Sequence, residues 1–206
     1  MNKIDYKEIE QYINEDNVIG KGKEVTCYDY GDSVIKLFSS NRTSPYKLIS
    51  IDGIIKLNIL PLKYFNKPDE LIVENGEVIG YTEDKLIKSE IDKDNIDYEG
   101  IKSDIICLSD NGFKIQDLYY NYIIHDGEFH FIDLTSYIYI PTEEEFLKRS
   151  FYKHNIKEMN IFLIGYLHFN AFQSNDGYEF TKIYKANEFR MQNCGDEFYG
   201  DIKKTL

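Results

Sequence analysis

Short alternating runs dominate the first eighty residues, and longer helical spacings take over after them. Tyr6, Ile9, Tyr12 and Ile13 recur at helical spacing, so a leading helix is expected over residues 5 to 16, with Asp5 as its N-cap. Two β-prone runs then flank Gly20-Lys21-Gly22, and a third, Ser33-Val34-Ile35-Lys36-Leu37-Phe38, follows Gly31. Tyr46, Ile49, Ile51, Ile54, Ile55 and Leu57 suit a helix over 44 to 58, interrupted by Gly53. Runs at 71 to 74 and 78 to 81 flank Asn75-Gly76, the residue pair that a tight primed turn requires, and predict a hairpin. Five antiparallel strands are therefore expected up to about Tyr81.

Beyond that point Tyr98, Ile101, Ile105 and Leu108 predict a helix stopped at Asn111-Gly112. A second hairpin follows, with runs at 122 to 124 and 128 to 132 turning at His125-Asp126-Gly127. Thr142 as N-cap with Glu145 as its capping-box partner starts another helix. A further apolar helix is expected at about 159 to 172. The fold class that follows is α+β.

Composition narrows the function more than the fold. A chain of 206 residues with 42% hydrophobic and 29% charged residues can bury a core, as one domain or two small lobes sharing a cleft. A net charge of −12 opposes nucleic-acid or anionic-membrane binding, which need a basic footprint. Cys27, Cys107 and Cys194 are widely spaced with no C-x-x-C, so they read as reduced thiols. With no apolar leader and no run of about 18 apolar residues, the expected compartment is the cytoplasm. The 18 Tyr imply buried hydroxyls that need partners. Lys148, Arg149, Lys153, His154 and Lys157 form a basic cluster, whose simplest reading is a solvated helix face.

The chemistry concentrates between Lys114 and Tyr137, where Asp117, Asn121 and Asp133 fall at one end of the second hairpin. Oxygen side chains so grouped suit magnesium, which takes one or two protein oxygens and fills its remaining positions with phosphate and water. Asn121 and Asp133 would be the metal ligands. Asp117 would orient a hydroxyl and accept its proton as it attacks phosphorus. Taken singly, each of the three is also an ordinary turn residue.

This stretch resembles the protein-kinase-like superfamily, whose catalytic loop reads H-R-D-x-x-x-x-N and whose metal motif reads D-F-G after a short hairpin. The corresponding residues are Ile115-Gln116-Asp117, then Asn121, then Ile132-Asp133-Leu134, with the Asp-to-Asn step one residue shorter. Upstream, Gly20 and Gly22 match the phosphate-covering G-x-G, with Val25 in place of the third glycine, and Lys36 matches the lysine of V-A-I-K. The resemblance implies a two-lobed fold, with an N-lobe over 1 to 84, a five-stranded antiparallel sheet within it, and a short, mostly helical C-lobe over 85 to 206. It further implies ATP and Mg2+ as cofactors, with Gly20, Gly22 and Lys36 at the phosphates. Residues 82 to 86, Glu83 among them, would form the hinge that meets the base.

Kinases also carry a helix Glu that orients the strand lysine. No Glu occurs between Leu37 and Asp69, which leaves Asp52 as the one acidic residue of that helical stretch. Pro141 follows Asp133 by only eight positions, too few for a long activation segment and its protein-docking platform. The leading expectation is an ATP- and magnesium-dependent phosphotransferase acting on an unknown small-molecule or protein hydroxyl acceptor. A pseudokinase, or nucleotide-binding regulatory module without turnover, is the second reading. A β-rich interaction domain with no nucleotide is the third.

Overall fold

The turn residues set the sheet. In the computed structural model, which describes residues 1–22, 24–39, 49–118, 121–169 and 196–205, Asn75 and Gly76 both have positive φ. They join β5 (Pro68–Glu74) to β6 (Glu77–Asp84) as a type I′ turn should. Strands β2 (Val18–Lys21), β3 (Val25–Tyr30) and β4 (Ser33–Phe38) form an antiparallel meander, and β6 pairs with β4.

The expected sheet of five antiparallel strands is instead six-stranded and mixed. Residues Asn2–Asp5 form β1, which pairs parallel to β5 and gives the order β1-β5-β6-β4-β3-β2. The partner of β1 lies far along the chain, so no local pattern marks it. The leading helix is correspondingly shorter. Asp5 does cap it, in a capping box with Glu8, but α1 spans only Tyr6–Ile9 before 3-10 turns take over.

Helix α2 (Ile51–Ile59) is continuous through Gly53, capped by the Ser50 hydroxyl. Gly53 does not interrupt it; a Cβ there would lie 2.9 Å from Cβ of Tyr139, so glycine lets the helix approach that strand. Tyr46, expected at the head of this helix, lies outside the described residues, as do Phe172 and Cys194. Cys27 and Cys107 are free thiols.

Helix α3 (Tyr98–Asp110) ends at Asn111 and at Gly112, whose φ is +82°. Short strands β7 (Phe113–Lys114) and β10 (Ile138–Tyr139) pair antiparallel and close the base of a loop. Inside that loop sits the second hairpin, β8 (Tyr122–His125) and β9 (Glu128–Phe131), turning through Asp126 and Gly127 at positive φ. The two helices expected after Pro141 are one, α4 (Glu145–Phe169). Thr142 accepts a hydrogen bond from the Glu144 amide just ahead of its first turn, so it is not the cap itself. After the undescribed stretch, α5 (Tyr199–Thr205) docks through Phe198, and Asn160 of α4 bonds both the Glu197 carbonyl and the Tyr199 amide.

Aromatic side chains fill the core beneath the hairpin. Phe129, Phe131, Phe162 and Tyr166 meet with ring centroids 5.0–6.4 Å apart, mostly edge to face. Tyr64 meets the need for hydroxyl partners by hydrogen bonding to Asp97 and Lys63, whereas the buried hydroxyls of Tyr98 and Tyr137 have none among the described residues. No described helix is long and apolar enough to cross a membrane.

Candidate active site

A cleft of about 890 Å³ separates the sheet from the β7–β10 loop. Gly20, Gly22, Lys36 and Glu83 line it on the sheet side, and Asp117, Asn121 and Asp133 line it on the other. All seven residues singled out in the sequence thus border one space. Val25, Val34, Leu86, Ile123 and Ile132 give the walls apolar surface fit for a planar ring.

On the sheet side the dominant feature is a buried ion pair. Lys36 Nζ lies 2.8 Å from Glu83 Oε1, and each residue is only 4% exposed. Register explains the pairing: Val34 stands opposite Glu83 and Lys36 opposite Tyr81, so the two long side chains meet diagonally on one face. Burial works against the ammonium, but Glu83, Tyr81 and Asp133 outweigh it and hold Lys36 well above the ordinary lysine value. Burial also raises the Glu83 carboxyl, and Lys36 only partly offsets this. The second carboxylate oxygen, Oε2, has no hydrogen-bond partner among the described residues.

Glu83 was expected in the hinge. It lies instead within β6, which continues to Asp84, so the strand exits along Lys85 and Leu86. That exit is tethered: Lys85 Nζ donates to both Asp29 carboxylate oxygens at 2.7 Å, and its amide donates to the Asp32 carbonyl. Asn66 donates to the Asp84 carbonyl. Asp52, the acidic residue of α2, is exposed and is not the partner of Lys36.

The glycine-rich turn is closed by its own backbone, because the Gly22 amide donates to the Val25 carbonyl at 2.8 Å. That amide is therefore already engaged. Gly20 sits in the β2–β3 ladder opposite Cys27, beside a register shift.

Opposite, the loop is knitted together by short bonds. Asn121 Nδ2 donates to the Asp117 carbonyl at 2.7 Å, which directs the amide oxygen away as the ligand-type atom. The Ile132 amide donates to the Asn121 carbonyl, and Ser136 Oγ donates to Gln116 O. Thr135 Oγ1 donates to Asp133 Oδ1 at 2.5 Å. Asp117 and Asp133 both have φ of +57°, a left-handed conformation that Asp tolerates better than most residues. Asp117 is exposed, whereas Asn121 and Asp133 are partly buried.

What holds this loop to the body is missed in the sequence reading. Asn155 of α4, fully buried, accepts from the Ile115 amide and donates to Ser109 Oγ and the Phe113 carbonyl. Its neighbour His154 donates through Nε2 to the Ile115 carbonyl at 2.9 Å. Both backbone groups of Ile115, two residues before Asp117, are thereby fixed. His154 stood in the basic cluster taken as a solvated face; Lys153 and Lys157 are exposed, but His154 faces inward. Burial lowers its pKa, the Ile115 carbonyl partly opposing, so the neutral imidazole is favoured.

One carboxylate and one amide oxygen do not make a cage, and no group of three or more His, Cys, Asp or Glu is placed to hold a metal among the described residues. The donor set fits magnesium shared with phosphate, which needs few protein ligands.

No protein-family model matches the chain, and no curated protein matches it in sequence. Solved structures that resemble it loosely include these two. One is WbdD, solved with the kinase inhibitor LY294002, at 15% identity and a TM-score of 0.39 over 82% of this chain and 44% of that one. The other is the Lpg2603 kinase of Legionella pneumophila, solved with IP6 bound, at 17% identity and a TM-score of 0.45 over 94% of this chain and 74% of that one. This chain spans less than half the length of the WbdD chain.

Proposed function

We propose that the chain is a kinase-like phosphotransferase that uses ATP and magnesium. The observation that carries this is the single cleft in which a buried, charged Lys36 faces Asp117, Asn121 and Asp133. Transfer of a phosphoryl group asks for positioning and charge neutralisation more than for covalent chemistry. Lys36 would pair with the phosphates of the nucleotide from the sheet side. Asn121 and Asp133 would hold magnesium, which when bound supplies charge neutralisation across the phosphates.

Asp117, at the open side of the loop, would orient the acceptor hydroxyl and take its proton. The bonds from His154 and Asn155 tie Ile115, two residues before this base, to α4. The apolar walls would hold the base ring and exclude water from it.

The test is a thermal-shift titration with ATP and magnesium. A ligand bound only by the native state at about a hundredfold above its Kd stabilises by about 2.7 kcal/mol. Asp133→Ala should remove the magnesium-dependent part of that gain. Asp117→Asn should keep binding while suppressing phosphate transfer from radiolabelled ATP. Equal shifts in wild type and Asp133→Ala would show that Asp133 is not a ligand. Binding with no turnover across a screen of acceptors would make the chain a nucleotide-binding module, and no binding would leave the interaction domain.

A further inference from the structure

We propose that Glu83 is the positioning residue for Lys36, and that the lysine is therefore set in the cleft by the sheet itself, independently of helix α2. The proposal rests on the phosphotransferase reading for its purpose and on the ion pair for its geometry. Kinase lysines of this kind are oriented by a helix glutamate, and the pair forms only when the helix is in place. Here α2 has no glutamate to give, and its Asp52 is exposed. The carboxylate comes from the next strand.

Adjacent strands in register cannot slide past each other without breaking their ladder, and β4 and β6 are paired from Ser33–Asp84 to Leu37–Gly80. Lys36 and Glu83 leave this ladder on the same face, 2.8 Å apart at their tips and almost wholly buried. Glu83 Oε1 makes that contact, and the side chain of Asn66 lies close enough to favour the same carboxylate. Asp133 adds attraction from the far side of the cleft. Helix α2 bonds to β5, through Asn58 Nδ2 to the Pro68 and Asp69 carbonyls, and not to β4 or to the Lys36–Glu83 pair among the described residues. The placement of the lysine against Glu83 is thus set by the β4–β6 register, with no bond from α2.

Two measurements test this. The first uses the ligand-free protein with 15N-labelled lysine and follows the ammonium proton–nitrogen signals, the Lys36 signal being identified by its loss in Lys36→Met. A protected Lys36 signal is expected in wild type and in Asp52→Asn, and its loss or shift is expected in Glu83→Gln. An unchanged signal in Glu83→Gln, or loss in Asp52→Asn, would overturn the proposal. If Glu83→Gln does not fold, Glu83→Asp keeps the charge while withdrawing the oxygen by one methylene, and the same shift is expected.

The second measures affinity for magnesium-ATP in a double-mutant cycle of Glu83→Gln and Lys36→Met. Glu83→Gln should weaken binding at least tenfold in the wild-type background and have no further effect beside Lys36→Met. Additive losses would mean that Glu83 acts on its own and not through Lys36. Should wild type fail to bind ATP at all, the phosphotransferase reading falls, and the ammonium signal alone decides the role of Glu83.

Discussion

The two walls of the cleft hold their functional groups by different means. The sheet wall fixes Lys36 by ladder register and places the cost in electrostatics, since an ammonium and a carboxylate lie out of water. The loop wall fixes the approach to Asp117 by bonds from distant side chains to the Ile115 backbone, holds Asp133 by local bonds from Thr135 and Ser136, and places the cost in conformation, since both aspartates are left-handed. A wall built on register tolerates surface change but not the loss of one charge. One built on tethers depends on residues that never face the cleft.

The sharpest way to break this comparison is at the pair. Lys36→Ala strands the Glu83 charge and should cost about 3–5 kcal/mol in urea unfolding, whereas Lys36→Met with Glu83→Leu should recover most of it. A single-variant loss no larger than that of a surface change would show that the sheet wall does not carry its cost in charge. Next comes the tether. Asn155→Ala leaves the Ile115 amide and the Phe113 carbonyl unpaired in the interior and should cost about 3 kcal/mol. It should also lower turnover more than nucleotide affinity, because it loosens the loop and not the sheet.

A smaller effect separates conformation from charge at Asp117. Asn also tolerates the left-handed region, so Asp117→Asn should leave stability nearly unchanged, while Asp117→Ala should lose about 1 kcal/mol to backbone strain. Equal stability of the two variants would remove strain from the account of that wall.

The smallest effect is in pH. His154 titrates below its unfolded value of about 6.5 because burial disfavours the imidazolium. The unfolded chain then binds the extra proton first, so this contribution is whole above pH 6.5 and is lost as pH falls below it. His154→Gln should flatten the slope of stability against pH in that range. Some slope should survive from His130, which burial and His125 lower in the same direction. An unaltered slope would show that His154 is not held neutral.

Local signals carried much of the fold. Asn75-Gly76 and Asp126-Gly127 announce their hairpins because few residues accept positive φ, and Gly20, Gly22, Lys36, Asp117, Asn121 and Asp133, six positions picked out by their order in the chain, border one cleft. What was not legible depends on contacts between remote segments. The parallel partner of β1, the inward turn of His154 and the three bonds of Asn155 have no periodic signature. Glu83 reads as a hinge residue because it follows the run at 78 to 81 that completes the expected sheet; only the β4–β6 register makes it the partner of Lys36.

Strand β1 also has a consequence for the order in which the protein is made. Its residues Asn2 to Asp5 leave the ribosome well before their partners, Glu70 to Val73, are synthesised. Until then β5 does not exist to receive them, and once it does, it presents an open edge containing Leu71 and Ile72 until β1 returns to cover it. Closing that contact requires a long loop, which places it among the slow steps of folding. The nascent sheet passes through an interval in which another chain's strand can occupy the edge first. Expression at lower temperature, or with a chaperone that shields strand edges, should raise the soluble yield of the protein, and deleting residues 1 to 5 should make that edge permanently open.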